Sequence, residues 1–396
     1  MITLSTDQAL AGASHHHSLT RFGESIEAIA TRLVGLHNTS PVSPYLSIRA
    51  RLRGFVRADL EALMWDAWQM ARIRAMRLTM FVFPLDLLEI AVAATRHIAE
   101  PFAVRWMRDS GLSQEEFDRI AGEVYAALAD GPATVRDLRT VLEMPRSVDL
   151  PGVVGRMCDL GQLAGGAPPR HWRSSVRRYH RWVDVLPDAD LHRWGEDAAI
   201  RELILRYVRS YGPVTINDLS WWTGMTKQRC RDALAALASR VEEVAVEGWP
   251  GPLFRVRDDD RPEELGPHVY ALPLLDPYVQ GYRDRVRFLD PERNRFVFDG
   301  GGNATATLVQ RGRIIGVWQA SEESVASVRY HLFAGGPAAT RRSAEAELAA
   351  AGSMFFDRPV DVIEISVMKP LNADGGRSAS HPLDARLHRA SRRRPA

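Results

Sequence analysis

Lysine is almost missing from this 396-residue chain: Lys227 and Lys369 are the only two, and arginine carries the rest of the positive charge. Its 51 basic and 49 acidic residues leave a formal net charge of +2, so overall charge announces no polyanionic partner. Arginine's planar fork suits phosphate, but an arginine-favouring genome explains the same composition. Cysteine is equally scarce. Cys158 and Cys230 are too few for a disulfide framework or a cysteine-rich zinc site, and both read as reduced core thiols. Long apolar runs are lacking too. Leu78 to Ala94, the most apolar stretch, carries Pro84, Asp86 and Glu89 and falls short of a bilayer span. No secretory-type apolar segment opens the sequence, and no Ser/His/Asp set is evident. Gly300-Gly301-Gly302-Asn303 precedes a strand and reads as a hairpin turn, so it is no phosphate loop. The expectation is a cytoplasmic protein without metal, cofactor or membrane contact.

What is present centres on Arg32 to Phe55. Ile26, Ile29, Ala30, Leu33 and Val34 recur at helical spacing. Gly35 can stop that helix in the left-handed conformation that a Cβ resists. His37, Asn38 and Thr39 follow, pinned between Leu36 and the Ser40-Pro41 turn. In an extended backbone His37 and Thr39 point one way and Asn38 the other. A second helix, about Pro44 to Arg53, would carry Tyr45, Ile48 and Leu52 on one side. Arg49, Arg51 and Arg53 would then face solvent or an anion.

A chain of this length holds several domains. Residues 1–18, with His15, His16 and His17, read as a disordered polar tail. The clearest module covers 191–262. Its helix to Tyr211 ends at Gly212-Pro213, Val214-Thr215 is a short strand, and a brief helix ends at Thr223-Gly224. Thr226 then caps a third helix, and a hairpin crosses the Gly/Pro-rich loop 247–252. That order is the winged-helix variant of helix-turn-helix. Gly131-Pro132-Ala133-Thr134 parallels Gly212-Pro213-Val214-Thr215, so 111–190 reads as a divergent copy. A third copy, 19–110, would hold the His37 corner, with its hairpin in 71–83. Residues 263–370 read as a β-rich domain and 371–396 as a disordered basic tail. The fold class is therefore α+β: tandem winged-helix repeats followed by a β-rich C-terminal domain.

The chain resembles the AlkZ/YcaQ-type winged-helix DNA glycosylases over about residues 20–330. The resemblance rests on Gly35-Leu36 before Tyr45-Leu46-Ser47-Ile48-Arg49-Ala50-Arg51, on Arg206-Tyr207 with Tyr211-Gly212-Pro213-Val214-Thr215, and on Asp218-Leu219 with Trp222-Thr223-Gly224. Leu272-Pro273-Leu274-Leu275-Asp276-Pro277-Tyr278 and Gly281-Tyr282-Arg283-Asp284-Arg285 complete it. It implies hydrolysis of the N-glycosidic bond of alkylated purines in duplex DNA, as base-excision repair or genotoxin resistance. In the family the corner reads Gln-apolar-Gln or Gln-apolar-Asp; here the matching positions are His37 and Thr39, with Asn38 between.

An N7- or N3-alkylated purine already carries positive charge and leaves easily. The protein's work is to steady an oxocarbenium-like sugar and place a water. Neutral His37 and Thr39 can hold a water without adding negative charge, and a protonated His37 would repel the cation. Activity titrating with an ordinary histidine, near about pH 6.5, is the expectation. Equally open is a corner that only caps a helix and shapes a turn, leaving a catalytically inactive DNA-binding protein or a transcription regulator. Asp276 and Asp284 read as ion-pair and turn residues. Of Trp221 and Trp222, at least one reads as core.

For DNA, the third helix of the clearest module nominates Lys227, Gln228 and Arg231. The first hairpin adds Arg72, Arg74 and Arg77, the second Arg173, Arg177, Arg178 and Arg181, and the corner helix Arg49 and Arg51. The expected partner is double-stranded DNA, bound by a monomer.

Overall fold

The structure, a computed structural model, describes residues 2–20, 23–258, 265–322, 325–366 and 368–371. The basic C-terminal stretch lies outside them, apart from Leu371.

Three segments repeat one order of elements: helix, short strand, helix, helix, hairpin. The first runs Ile26–Arg32, Leu36–His37, Ser43–Arg49, Arg57–Glu61 with a π-helical turn at Ala62–Asp66, then Met70–Arg74 and Met80–Pro84. The second runs Gln114–Ala127, a single bridge at Ala133, Val135–Val141, Leu150–Asp159, then Leu163–Gly165 and Tyr179–Arg181. In the third, Glu196–Tyr211 and a bridge at Val214 precede Ile216–Thr223, Lys227–Ala236 and the hairpin Val241–Val246 with Leu253–Val256. Each short strand pairs with the returning hairpin strand: Leu36 with Val82, Ala133 with Tyr179, Val214 with Phe254.

In the second and third segments the residue after the bridge is consumed as a cap. Thr134 and Thr215 accept from the backbone N–H of Asp137 and Asp218, whose carboxylates accept from the threonine N–H in return. In the first segment residues 38–42 intervene before the helix, and the helix start has no side-chain cap. His37, one place after Leu36, is therefore released from capping. This difference creates the candidate site.

From Ile2 to Ser18 the chain is not a loose tail. Ile2–Leu4 joins the third hairpin as a parallel strand beside Val244, Ala245 and Val246. Thr6–His16 is a helix capped by Ser5 and Gln8, with Ala9, Leu10, Ala11 and Ala13 buried. The triple histidine ends that helix. His17 is fully buried between the Tyr211 and Tyr278 rings, 4.5 and 5.3 Å away. Composition misleads here because the segment's partners lie some 240 positions away.

The C-terminal part is a five-stranded sheet in the order Asp361–Glu364, Ser327–Leu332, Arg313–Ser321, Thr307–Gln310, Val269–Leu272. Ala338–Phe356 packs its Ala344, Leu348 and Ala351 side against it. Phe298 bridges Ala304 across the expected turn, where Asp299 accepts from the N–H groups of Gly301 and Asn303.

Two buried ion pairs tie this part to the repeats. Arg51 grips both oxygens of Asp276, and Arg287 Nη2 reaches Asp218 Oδ2 at 2.7 Å. Asp218 Oδ1 also takes the backbone N–H of Arg283 and Asp284.

Candidate active site and nucleic-acid interface

Gly35 sets the corner. Its φ of +99° ends the helix, its N–H donates to Ala30 O at 2.8 Å, and a Cβ there would lie 2.3 Å from the Phe83 ring. Leu36 and His37 then pair with the returning strand, and Asn38 donates its N–H to Met80 O. Past that point the chain turns outward.

His37 lines a cavity of about 20 Å³, whose other walls are Met76, Arg77, Thr79, Phe81, Tyr211, Trp222, Pro277 and Gln280. That volume holds roughly one water and no purine. The walls come from the first and third repeats and from the C-terminal part, and they include no carboxylate. The Thr39 N–H donates to His37 Nδ1 at 3.4 Å. The ring proton therefore sits on Nε2, which has no protein partner among the described residues. Burial first, and Arg77 second, push the His37 pKa down to about 3. The imidazole is neutral throughout the physiological range and is a weak base.

The three corner residues part company. Thr39 is exposed and off the cavity, because the chain leaves the extended conformation after Asn38. Asn38 is buried with its Oδ1 accepting from Arg72 Nε at 2.5 Å, on the other side as the alternation predicts. Only His37 reaches the cavity. The hydroxyl that shares it belongs to Thr79, whose Oγ donates to Met76 O at 2.9 Å and keeps lone pairs to accept. Nothing in the local sequence marks Thr79; only strand pairing brings it there. Gln280 likewise carries no local signal. It is held by Ala304 N–H on its Oε1 and by Gly302 O on its Nε2.

The nominated cations divide as sharply. Arg51 is completely buried on Asp276, so it faces no DNA. Arg49 pairs with Glu347 at 3.0 Å, Arg74 with Asp159 at 3.5 Å, Arg173 with Glu322 at 2.6 Å and Arg181 with Asp184 at 2.7 Å. Arg72 is spent on Asn38. Arg177 is buried, donating to the carbonyls of Ser174 and Val176, and burial pushes its pKa down to about 10. By contrast Arg178, Lys227 and Arg231 are exposed and make no ion pair among the described residues, and exposed Gln228 bonds Asp232. Arg77 lies over the Trp221 ring, 3.8 Å from its centroid, at the cavity wall. Trp222 is core, whereas Trp221 is half-buried. Asp276 and Asp284 behave as the sequence predicts, in an ion pair and a turn.

A water-sized cavity, walled by the first and third helix–helix–hairpin units and the C-terminal part, is the candidate site of this fold. The chain belongs to the AlkZ-like DNA glycosylase family, whose model matches residues 30–354. It is 25% identical over 239 residues to an interstrand DNA cross-link repair glycosylase of Streptomyces sahachiroi. That match takes in 56% of this chain and 62% of the relative, so the chain spans under two thirds of the relative's length. The solved structure of the Streptomyces sahachiroi DNA glycosylase AlkZ superposes with a TM-score of 0.72 at 20% identity, covering 92% of this chain and all of that one. Among the described residues no helix is long and apolar enough to cross a membrane, and no group of three His, Cys, Asp or Glu could hold a metal ion.

Proposed function

We propose that this protein hydrolyses the N-glycosidic bond of alkylated purines in duplex DNA, carried on three tandem winged-helix units. The observation that carries the reading is the His37 cavity, sized for a single water and walled by three separate parts of the fold. His37 Nε2–H donates to that water and Thr79 Oγ accepts from it, so the water is held by two fixed groups. No acid on the base is needed, because the alkylated purine is already cationic, takes the bonding pair and leaves neutral, and the proton released when the water adds to the sugar passes to bulk solvent. Positioning is then the protein's main contribution, while the electrostatic help comes from DNA phosphates. The base stays outside the cavity. The name of the Streptomyces sahachiroi relative adds interstrand DNA cross-links to the substrates worth testing.

The second reading, DNA binding without catalysis, draws on the absence of a carboxylate from the cavity and on the weak basicity of His37. The experiment is incubation with duplexes carrying N7-methylguanine, N3-methyladenine or an interstrand purine cross-link, scored for abasic sites. Base release by the wild type supports the glycosylase. Tight duplex binding with no release from any of them selects the second reading.

A further inference from the structure

Three guanidinium groups from distant stretches gather on one indole. Arg77 lies 3.8 Å from the Trp221 ring centroid, Arg283 at 5.3 Å and Arg285 at 5.9 Å. Arg77 comes from the tip of the first hairpin, Trp221 from the short helix of the third repeat, and the other two from the segment after Gly281. The backbone at each place is held. Arg77 and Leu78 both adopt left-handed φ, +54° and +59°, in a tip closed by the Ala75–Thr79 and Leu78–Ala75 hydrogen bonds. Asp218 Oδ1 accepts the N–H groups of Arg283 and Asp284, which fixes the chain leading into Arg285. Gly302, at φ +77°, makes room: a Cβ there would lie 2.8 Å from Trp221 and 3.0 Å from Arg285 Nη2.

What the cluster lacks is an anion. Among the described residues no carboxylate bonds any of the three side chains. Among the described residues Arg285 donates only to Gly302 O, and its buried Nε has no partner there. Asp299, the acid nearest in influence to Arg285, has its oxygens occupied by Gly301 and Asn303. Like charges this close repel, and the arrangement persists here without internal neutralisation. An indole face attracts each cation but does not cancel its charge.

Resting on the reading of this protein as one that binds duplex DNA at the His37 cavity, we propose that Arg77, Arg283 and Arg285 on Trp221 form a clamp for one backbone phosphodiester of the attacked strand. Guanidinium forks match phosphate oxygens bidentately. The clamp and the cavity share parts: Arg77 lines the cavity, and Gly302 O receives both Arg285 and the cavity residue Gln280. A phosphate seated there fixes the sugar next to it over the water.

The test is binding, read apart from base release. Affinity for a duplex bearing a tetrahydrofuran abasic-site analogue is measured by fluorescence anisotropy, with each phosphate near the analogue replaced in turn by an uncharged methylphosphonate. One position is expected to weaken wild-type binding by about tenfold, while Arg283→Gln, an exposed side chain outside the core, shows no further loss at that position. On unmodified duplex the slope of log affinity against log salt falls by about one for Arg283→Gln and is unchanged for Arg201→Gln, an exposed arginine outside the cluster. Penalties that add at every position, or an unaltered salt slope, overturn the clamp. Loss of base release with the coupling intact sinks the glycosylase and spares the clamp; additive penalties with base release intact do the reverse.

Discussion

Arg51 and Asp276, 225 positions apart, form a bidentate ion pair at 2.9 and 2.7 Å with neither side chain exposed. Ser47 Oγ and the Tyr278 N–H fill the remaining carboxylate positions, and Arg51 also donates to the carbonyls of His17 and Ser47. Each guanidinium nitrogen and both carboxylate oxygens have a partner. Removing one partner strands the other in an apolar setting, so Asp276→Ala is expected to cost about 3–5 kcal/mol. Urea denaturation measures it; a loss below about 1 kcal/mol contradicts the pair's role in joining the repeats to the C-terminal part.

Activity is expected to stay level between pH 8 and pH 5.5, in contrast to the ordinary histidine titration that the residue type alone predicts. The reason is the buried ring, whose pKa of about 3 leaves it neutral across that range. Initial rates at saturating duplex check this. A sigmoidal fall centred near about pH 6.5 would show that His37 is solvated.

Stability behaves differently from activity. His37 and His17 both have folded-state pKa values below the unfolded value, so between about pH 6.5 and the folded pKa the unfolded chain binds more protons. Stability is therefore complete above about pH 6.5 and declines as pH falls, by up to about 1.4 kcal/mol per pH unit for each ring. Thermal melts of the wild type and His17→Phe at pH 8 and pH 5 test it: the variant is expected to lose less on acidification.

The two threonines separate geometry from sequence position. Thr39→Ala is expected to leave base release within about twofold, since that side chain is exposed and off the cavity. Thr79→Val removes the acceptor opposite His37 and is expected to slow release by about tenfold or more. Single-turnover rates on N7-methylguanine duplex decide between them. The opposite ranking would restore the i, i+2 pairing that alternation alone suggests.

Gly35→Ala is expected to destabilise by at least about 1–2 kcal/mol from the left-handed backbone alone, with more from displacement of Phe83. A thermal melt unchanged from wild type contradicts the tight corner.

Local signals carried much of this fold. The breaks at Gly131-Pro132 and Gly212-Pro213 and the third-repeat helix capped by Thr226 stand where turn and cap chemistry put them, whereas Thr215, read as part of a short strand, is instead a cap. The Gly35 stop and the opposed directions of His37 and Asn38 were legible for the same reason. The site was less so. Whether an arginine meets solvent or a carboxylate depends on chain hundreds of positions away, as for Arg49 with Glu347 and Arg51 with Asp276. Thr79 enters the cavity only through strand pairing with Leu36–His37, and Ile2–Leu4 becomes a strand only beside Val241–Val246. Periodicity has no access to such partners. Cation clusters show the same limit: Arg283 and Arg285 acquire meaning only when Arg77 arrives on the same ring.

The most direct test of the water-holding cavity is the single-turnover rate of base release from N7-methylguanine duplex by His37→Ala, with duplex affinity measured on the same preparation. The account predicts a rate lower by about 100-fold at unchanged affinity. Release at the wild-type rate would mean that the imidazole takes no part in the reaction.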